Sequence, residues 1–138
     1  MLDNLTAIHD EVCRVLRIGF SVPSGTVVFK RRPRLEVATF PHGYAMLTEV
    51  SREMETGTVE ETYEFVCGMA FEYPQNADVQ ALAVSQAKAA GDTLVAGNWA
   101  TWGGYLPHVS TIGFPDDEAE EPFYLVTLTF HLRVTADQ

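Results

Sequence analysis

Residues 61–73 read ETYEFVCGMAFEY and alternate with a two-residue period that is typical of a β-strand. The odd positions carry the large apolar side chains Tyr63, Phe65, Cys67, Met69, Phe71 and Tyr73. The even positions, from Thr62 to Glu72, are mostly small or polar. One side of this strand is therefore expected to face a hydrophobic core, and the other side to face away from it.

A second stretch, residues 123–134, shows the same alternation. One face carries large apolar residues, namely Tyr124, Val126, Leu128, Phe130, Leu132 and Val134. The opposite face carries Thr127, Thr129, His131 and Arg133. Residues 108–114 precede it, separated by the acidic stretch Asp116, Asp117, Glu118, Ala119, Glu120 and Glu121. This order predicts a hairpin of two strands joined by an acidic turn.

A further hairpin is predicted upstream of the first alternating stretch. Residues 44–50 (YAMLTEV) have the composition of a strand. The polar residues 51–59 that follow are more numerous than a two-residue turn requires. Part of this segment can continue the strands, and its tip is expected to project into solvent or onto a partner.

Two amphipathic helices are predicted. The first covers residues 2–16, with an apolar stripe formed by Leu5, Ile8, Val12, Val15 and Leu16, and is ended by Gly19 and Pro23. A short strand at residues 26–29 and an extended connection follow. The second helix covers residues 77–96, with Asn76 or Asp78 as the N-cap. Its predicted stripe is Val79, Leu82, Ala83, Gln86, Ala90, Leu94 and Val95, and Gly91 is expected to weaken or split it.

The order helix, strands, helix, strands predicts an α+β fold. We expect a mostly antiparallel β-sheet covered on one face by two α-helices, forming a single domain over residues 1–138. The 138 residues include 46% hydrophobic and 20% charged residues, which is ordinary for a globular domain.

The net charge of −10 argues against sequence-specific binding of DNA or RNA, because a negative field repels phosphate. Cys13 and Cys67 stand among apolar residues and are interpreted as buried thiols in a reducing compartment. Acidic residues near the N-terminus and the lack of a long apolar run predict a soluble protein made in the cytoplasm, with no membrane partner.

Motifs that would indicate catalysis or a cofactor are absent from the sequence. There is no glycine-rich phosphate loop, no HExxH and no GxSxG. His9 and Cys13 stand four residues apart and could form half a metal site, but we interpret them as core residues. The aromatic segment 99–107 is interpreted as a core plug or a subunit contact, with the rim of a small-molecule pocket as the alternative.

A basic cluster holds four of the nine Lys and Arg residues: Lys30, Arg31, Arg32 and Arg34. One interpretation is a solvated strand end. The other is head-to-tail pairing between identical copies, because one basic patch and two acidic segments occur on one small protein.

Several features together suggest a family. Phe40-Pro41 opens the strand at 44–50, a long polar hairpin leads to a strand that ends at Tyr73-Pro74, and an acidic turn precedes the final alternating strand. With the N-terminal helix, this order resembles the tail terminator proteins of long-tailed, non-contractile phages, the lambda-like tail terminator among them. The resemblance covers nearly the whole chain, although the segment 99–105 does not correspond to the family pattern.

The resemblance implies a structural virion protein with no catalysis, no cofactor and no metal. Such proteins form a homohexameric ring that caps the tail tube, stops its polymerisation and presents a surface for head joining. The implied partners are other copies of the chain, the tail tube protein and the connector or neck proteins. DNA would only pass through the channel, without specific binding, and the location would be the head-proximal end of the phage tail.

The residues that would carry these contacts follow as a hypothesis. The basic cluster is expected to contact a neighbouring subunit or the tail tube. Two loops are expected to supply lumen charge or axial contacts, one with Arg52, Glu53 and Glu55 and the other with Asp116, Asp117, Glu118, Glu120 and Glu121. The alternatives are another head–tail connector, such as a neck or tail-completion protein, and a small ligand-binding or enzymatic domain that uses Trp99, Trp102, Tyr105 and His108.

Overall fold

The computed structural model describes residues 3–19, 29–30, 42–55, 57–72, 79–114 and 123–137. These residues form two helices and five strands. The helices are α1 (Asp3–Gly19) and α2 (Val79–Val95), and a short 3-10 helix spans Trp99–Trp102. The strands are β1 (Phe29–Lys30), β2 (His42–Glu55), β3 (Thr58–Glu72), β4 (Gly104–Gly113) and β5 (Phe123–Asp137).

The strands form one sheet in the order β1-β2-β3-β5-β4. The two alternating stretches of the sequence lie side by side at its centre, where β3 and β5 pair antiparallel along their full length. Strands β2 and β4 flank them, also antiparallel, and the two-residue β1 joins the β2 edge in parallel. The predicted α+β fold with a mostly antiparallel sheet is confirmed.

Both helices pack on one face of this sheet, as predicted. The apolar residues of α1 and of the strand faces meet in a single core that includes Ile8, Val12, Leu16, Tyr63, Phe65, Leu128 and Phe130. We call this face of the sheet the inner face. No helix of the described part of the chain packs on the other side, which we call the outer face.

His9 and Cys13 are both buried, Cys13 within this core and His9 beside it. His9 is 7% exposed, and its Nε2 atom lies 2.7 Å from the carbonyl oxygen of Ala45. Its ring also makes an edge contact with Phe65. Cys13 is buried, and no group of three potential ligands that could hold a metal ion occurs among the described residues. The core interpretation of this pair is confirmed.

Helix α2 differs from the prediction in two ways. It continues without a break through Gly91, because the backbone there is buried against the sheet and this packing outweighs the low helix propensity of glycine. The buried residues of α2 include Ala87, Ala90, Gly91 and Leu94, whereas Val95, which was assigned to the core stripe, is 45% exposed. The proposed N-caps, Asn76 and Asp78, lie outside the described residues.

The hairpin between β2 and β3 is also longer than predicted. Most of the polar segment 51–59 belongs to the strands, with register pairs from Ser51 and Thr62 to Glu55 and Thr58. The chain reverses around Gly57, whose φ of +85° suits glycine. Polar residues can form strands here because β5 pairs with β3 as far as Thr58 and Asp137, which extends the sheet beyond the core. The expectation that part of this segment continues the strands is therefore confirmed.

The two thiols provide a test of this core. Burial, and to a smaller extent Cys13, raise the pKa of the Cys67 thiol far above its usual range. Because the thiolate is the reactive form, neither cysteine of the native protein should react rapidly with a thiol reagent such as DTNB at pH 8. Both should react once the protein is unfolded in guanidinium chloride. Rapid reaction of the native protein would contradict the packing described here.

Candidate assembly surfaces

The end of the β2–β3 hairpin extends beyond the part of the sheet that the helices cover. Ser51, Arg52, Glu53 and Met54 are all exposed, although successive residues of a strand point to opposite faces. Met54 lies on the same side of the sheet as the inner-face residues, yet its side chain is 74% exposed. Both faces of β2 are therefore open to solvent over these residues. We call residues 51–58 the protruding hairpin.

A buried glutamate lies at the base of the protruding hairpin. The side chain of Glu61 is fully buried. Its Oε2 atom accepts a hydrogen bond of 2.9 Å from Nε of Arg52, and its Oε1 atom accepts one of 3.3 Å from the Tyr63 hydroxyl. Burial and the neighbouring Glu61 raise the pKa of Tyr63 to about 12, so this hydroxyl remains a donor. Arg52 thus anchors the strand and is not a free loop residue.

A network of ion pairs and one hydrogen bond crosses the outer face of the sheet near the base of the protruding hairpin. Arg133 on β5 lies 3.2 Å from Glu60 on β3 and 3.6 Å from Glu53 on β2. The Tyr105 hydroxyl donates a hydrogen bond to Glu60, and this bond raises the pKa of Tyr105. One guanidinium group therefore links three neighbouring strands with acidic side chains, which stabilises the extended register.

A cluster on the middle of the outer face resembles a catalytic arrangement in composition only. Ser110 Oγ lies 2.9 Å from Nε2 of His131, and Oε1 of Glu64 lies 3.9 Å from the same nitrogen. In a serine nucleophile triad, the acid binds the imidazole nitrogen opposite to the one that faces the hydroxyl. Here both groups face one nitrogen, and the His131 ring stacks on His108 at 4.8 Å. This geometry does not orient His131 as a base for Ser110.

The two tryptophans of the aromatic segment pack in or against the core. Trp99 is 2% exposed, packs on Phe130 at 5.3 Å, and donates a hydrogen bond of 2.7 Å from Nε1 to the carbonyl oxygen of Leu94. Trp102 packs against the same core. Tyr105 and His108 instead pair with Arg133 and His131 on the outer face. The sheet separates the four residues of the proposed ligand site, and the core-plug interpretation is confirmed for Trp99.

The remaining predicted contact residues are only partly described. Lys30 lies in β1, and Arg31, Arg32 and Arg34 lie outside the described residues. The acidic residues Asp116, Asp117, Glu118, Glu120 and Glu121 lie outside them as well. Arg52, Glu53 and Glu55 belong to β2 and therefore lie on a strand of the hairpin and not in a loop, and their lumen or axial role stays a prediction. No described helix is both long and apolar enough to span a membrane.

Sequence reasoning missed the buried Glu61 and the network around Arg133. Nothing in the immediate sequence neighbourhood of Glu61 distinguishes a buried acid from a solvated one. One signal was present: Glu61 has the same parity as Tyr63 and Phe65 and therefore points to the inner face. Its partner Arg52 follows only from the register of the two strands.

Comparisons with known proteins give a structural match only. No protein family and no curated protein matches this sequence. Matches to solved structures comprise 30 chains. One is a chain from the virion of the native gene transfer agent (GTA) particle, with a TM-score of 0.53 and 20% sequence identity. The match covers 96% of this chain and 95% of that chain, and it shows a shared fold over nearly the full length of both.

Proposed function

We propose that this chain is a structural protein of a phage-like virion. The observation that carries this proposal is the fold shared with a virion chain over 96% of this chain and 95% of the other. The match extends over nearly the full length of both chains and not over a single shared motif. The separation of the aromatic and histidine residues by the sheet also disfavours the ligand-binding alternative.

Within this class, we propose a tail terminator. Six copies would form a ring that caps the tail tube, stops its polymerisation and presents the surface for head joining. The net charge of −10 fits a channel through which DNA slides, because an acidic lumen repels phosphate and does not retain it. The protruding hairpin supports the proposal as well, since residues 51–54 of β2 are exposed on both faces and are suited to contacts between copies or between rings.

The basic cluster Lys30, Arg31, Arg32 and Arg34 would provide the counter-charge in these contacts. Reversing Arg31 and Arg32 to glutamate is expected to weaken ring assembly or tube capping, because it replaces attraction to acidic neighbours by repulsion. Negative-stain microscopy of rings and capped tubes would measure both. The matched control is Arg14→Glu, which reverses an exposed arginine on α1 outside the cluster. Wild-type behaviour of the double reversal in both assays would contradict the assignment.

Electron microscopy of the protein mixed with polymerising subunits of the cognate tail tube tests the function itself. The expected result is a population of shorter tubes, each closed at one end by a ring with sixfold symmetry. Omitting the protein, or replacing it with an unrelated acidic protein of similar size, should leave the tubes long and their ends bare. Uncapped growth in the presence of the protein would overturn the tail-terminator role. Binding to the head-side connector in that case would favour a neck protein.

A further inference from the structure

We propose that the protruding hairpin of one copy docks into a groove between α2 and β4 of the next copy. This inference deepens the proposed function, because it names the contact through which copies would join head to tail. It rests on the shape of the groove, on the exposure of the hairpin and on two strand edges that have no strand partner among the described residues.

The groove runs along the β4 edge of the sheet and has a volume of about 420 Å³. One wall is formed by residues of α2, including Lys88, Gly91, Asp92 and Val95. The other wall is formed by residues 107–112 of β4. Val109 and Ile112 are partly buried and contribute apolar surface, and Val95 is 45% exposed. The groove therefore has an apolar floor with polar groups at its rim, as binding grooves commonly do.

Gly91 has no evident role within one copy. A Cβ atom at this position would lie 3.5 Å from Leu128 Cδ1 and 3.6 Å from Val109 Cγ2, which are ordinary contact distances. Its φ is not positive, and glycine is less favourable than alanine in the interior of a helix. The missing side chain is therefore not required for the helix to approach the sheet. Its effect is to leave space in the groove.

Met54 on the protruding hairpin matches this space. It is the most exposed of the large hydrophobic side chains among the described residues, at 74%. Methionine is unbranched and adapts its shape to irregular pockets, which explains its frequent use at binding surfaces. Because the helices of its own copy do not cover this part of β2, Met54 is free to enter the groove of another copy.

The backbone edges of the two surfaces are complementary too. Strand β4 ends the sheet, and no strand of the described part of the chain pairs with its outer edge. On β2, pairing with β1 is limited to Gly43 and Tyr44, so the outer edge of residues 46–55 has no strand partner in the described ranges. Docking of the hairpin would therefore add a strand to β4, with hydrogen bonds between main chains and Met54 directed into the groove.

The charges at the rim favour the same arrangement. Arg52 and Met54 lie on the same face of β2, whereas Glu53 lies on the opposite face, where it pairs with Arg133. Asp92, an exposed residue of the α2 wall, can pair with the half-exposed guanidinium group of Arg52 while Arg52 Nε stays bonded to Glu61. The hairpin and the groove lie towards opposite edges of the sheet. Each copy can therefore insert its hairpin into one neighbour and accept the hairpin of another neighbour in its groove. Such a contact joins copies into a ring or chain and not into an isologous pair.

Cysteine cross-linking tests the contact directly, because both natural thiols are buried. One protein carries Met54→Cys and a second, enlarged by a tag, carries Val95→Cys. Under mild oxidation, the mixed disulfide dimer of these two proteins should form at least about ten-fold faster than a control dimer in which the tagged protein carries Ala89→Cys instead. The reason is that docking raises the effective concentration of the two thiols. Ala89 is exposed on the same helix and is not among the residues lining the groove. Equal rates for the two partners would overturn the proposal.

Filling the groove gives an independent readout. Asp92→Met, at an exposed position of the α2 wall, should retain the fold in thermal unfolding but abolish the fast cross-link to Met54→Cys when it is introduced into the Val95→Cys protein. Ala89→Met in the same background should leave the cross-link unchanged. The tube-capping assay distinguishes a failure of the hairpin contact from a failure of the tail-terminator role. Capping without the cross-link would overturn the hairpin contact alone, whereas the cross-link without capping would overturn the tail-terminator role alone.

Discussion

Replacing Trp99 by alanine is expected to destabilise the protein by about 3–5 kcal/mol, the usual cost of truncating a buried tryptophan. The indole is 2% exposed and packs on Phe130. It is also enclosed by glycines, because a Cβ atom on Gly97 would lie 2.8 Å from Nε1 and one on Gly104 would lie 2.8 Å from the Trp99 Cβ. Since small domains have a total stability of about 5–15 kcal/mol, this change should lower the unfolding midpoint strongly.

Urea unfolding of three variants distinguishes a core role from a ligand-binding role. Trp99→Phe should retain most of the apolar contact and lose only the hydrogen bond to Leu94, at a cost of about 1 kcal/mol beyond the change in volume. Trp102→Ala should cost less than Trp99→Ala, because Trp102 is only partly buried. A Trp99→Ala protein of wild-type stability would contradict the core-plug interpretation and return the aromatic segment to consideration as a binding surface.

Replacing Arg52 by alanine is expected to cost about 1–3 kcal/mol, the penalty for leaving a buried charged group without its main hydrogen-bond partner. Glu61 is fully buried, and the Tyr63 hydroxyl at 3.3 Å would be its remaining partner among the described residues. The cost should stay below that of breaking a fully buried ion pair, because the Arg52 side chain is 53% exposed. Urea unfolding measures the loss, and hydrogen exchange should show faster opening of the protruding hairpin.

Glu61→Gln identifies the charge as the cause. With a neutral side chain at position 61, Arg52→Ala should cost clearly less than it does beside Glu61, so the two changes should be non-additive. Arg14→Ala is the control, since the Arg14–Glu11 pair lies at the surface and is expected to contribute only about 0–1 kcal/mol. Two results together would contradict the special role assigned to Arg52: an equal loss of stability for Arg52→Ala and Arg14→Ala, and additive effects of Arg52→Ala and Glu61→Gln.

The strands at the centre of the sheet were predictable because their pattern is local. In β3 and β5, each core residue is separated from the next by one residue, and this period alone assigns the two faces. The stripe from Ile8 to Leu16 predicts α1 in the same manner. How far β2 and β3 extend into the segment 51–59 was not predictable. It depends on cross-strand pairing with β5 and on the Arg133 network, and those residues are far apart in the sequence.

The other features of the protein also fall into those that the sequence determines and those that the tertiary structure decides. The sequence by itself determined the α+β class, the two faces of the central strands, the burial of Cys13 and Cys67 and the excess negative charge, because each of these depends on residue type and local spacing. Only the tertiary structure decided that Glu61 is buried beside Arg52, that Trp99 and His108 lie on opposite sides of the sheet, and that Gly91 opens a groove at the β4 edge. The physical reason is that burial and pairing depend on the register between strands and on the packing of a helix against them, which no local pattern encodes.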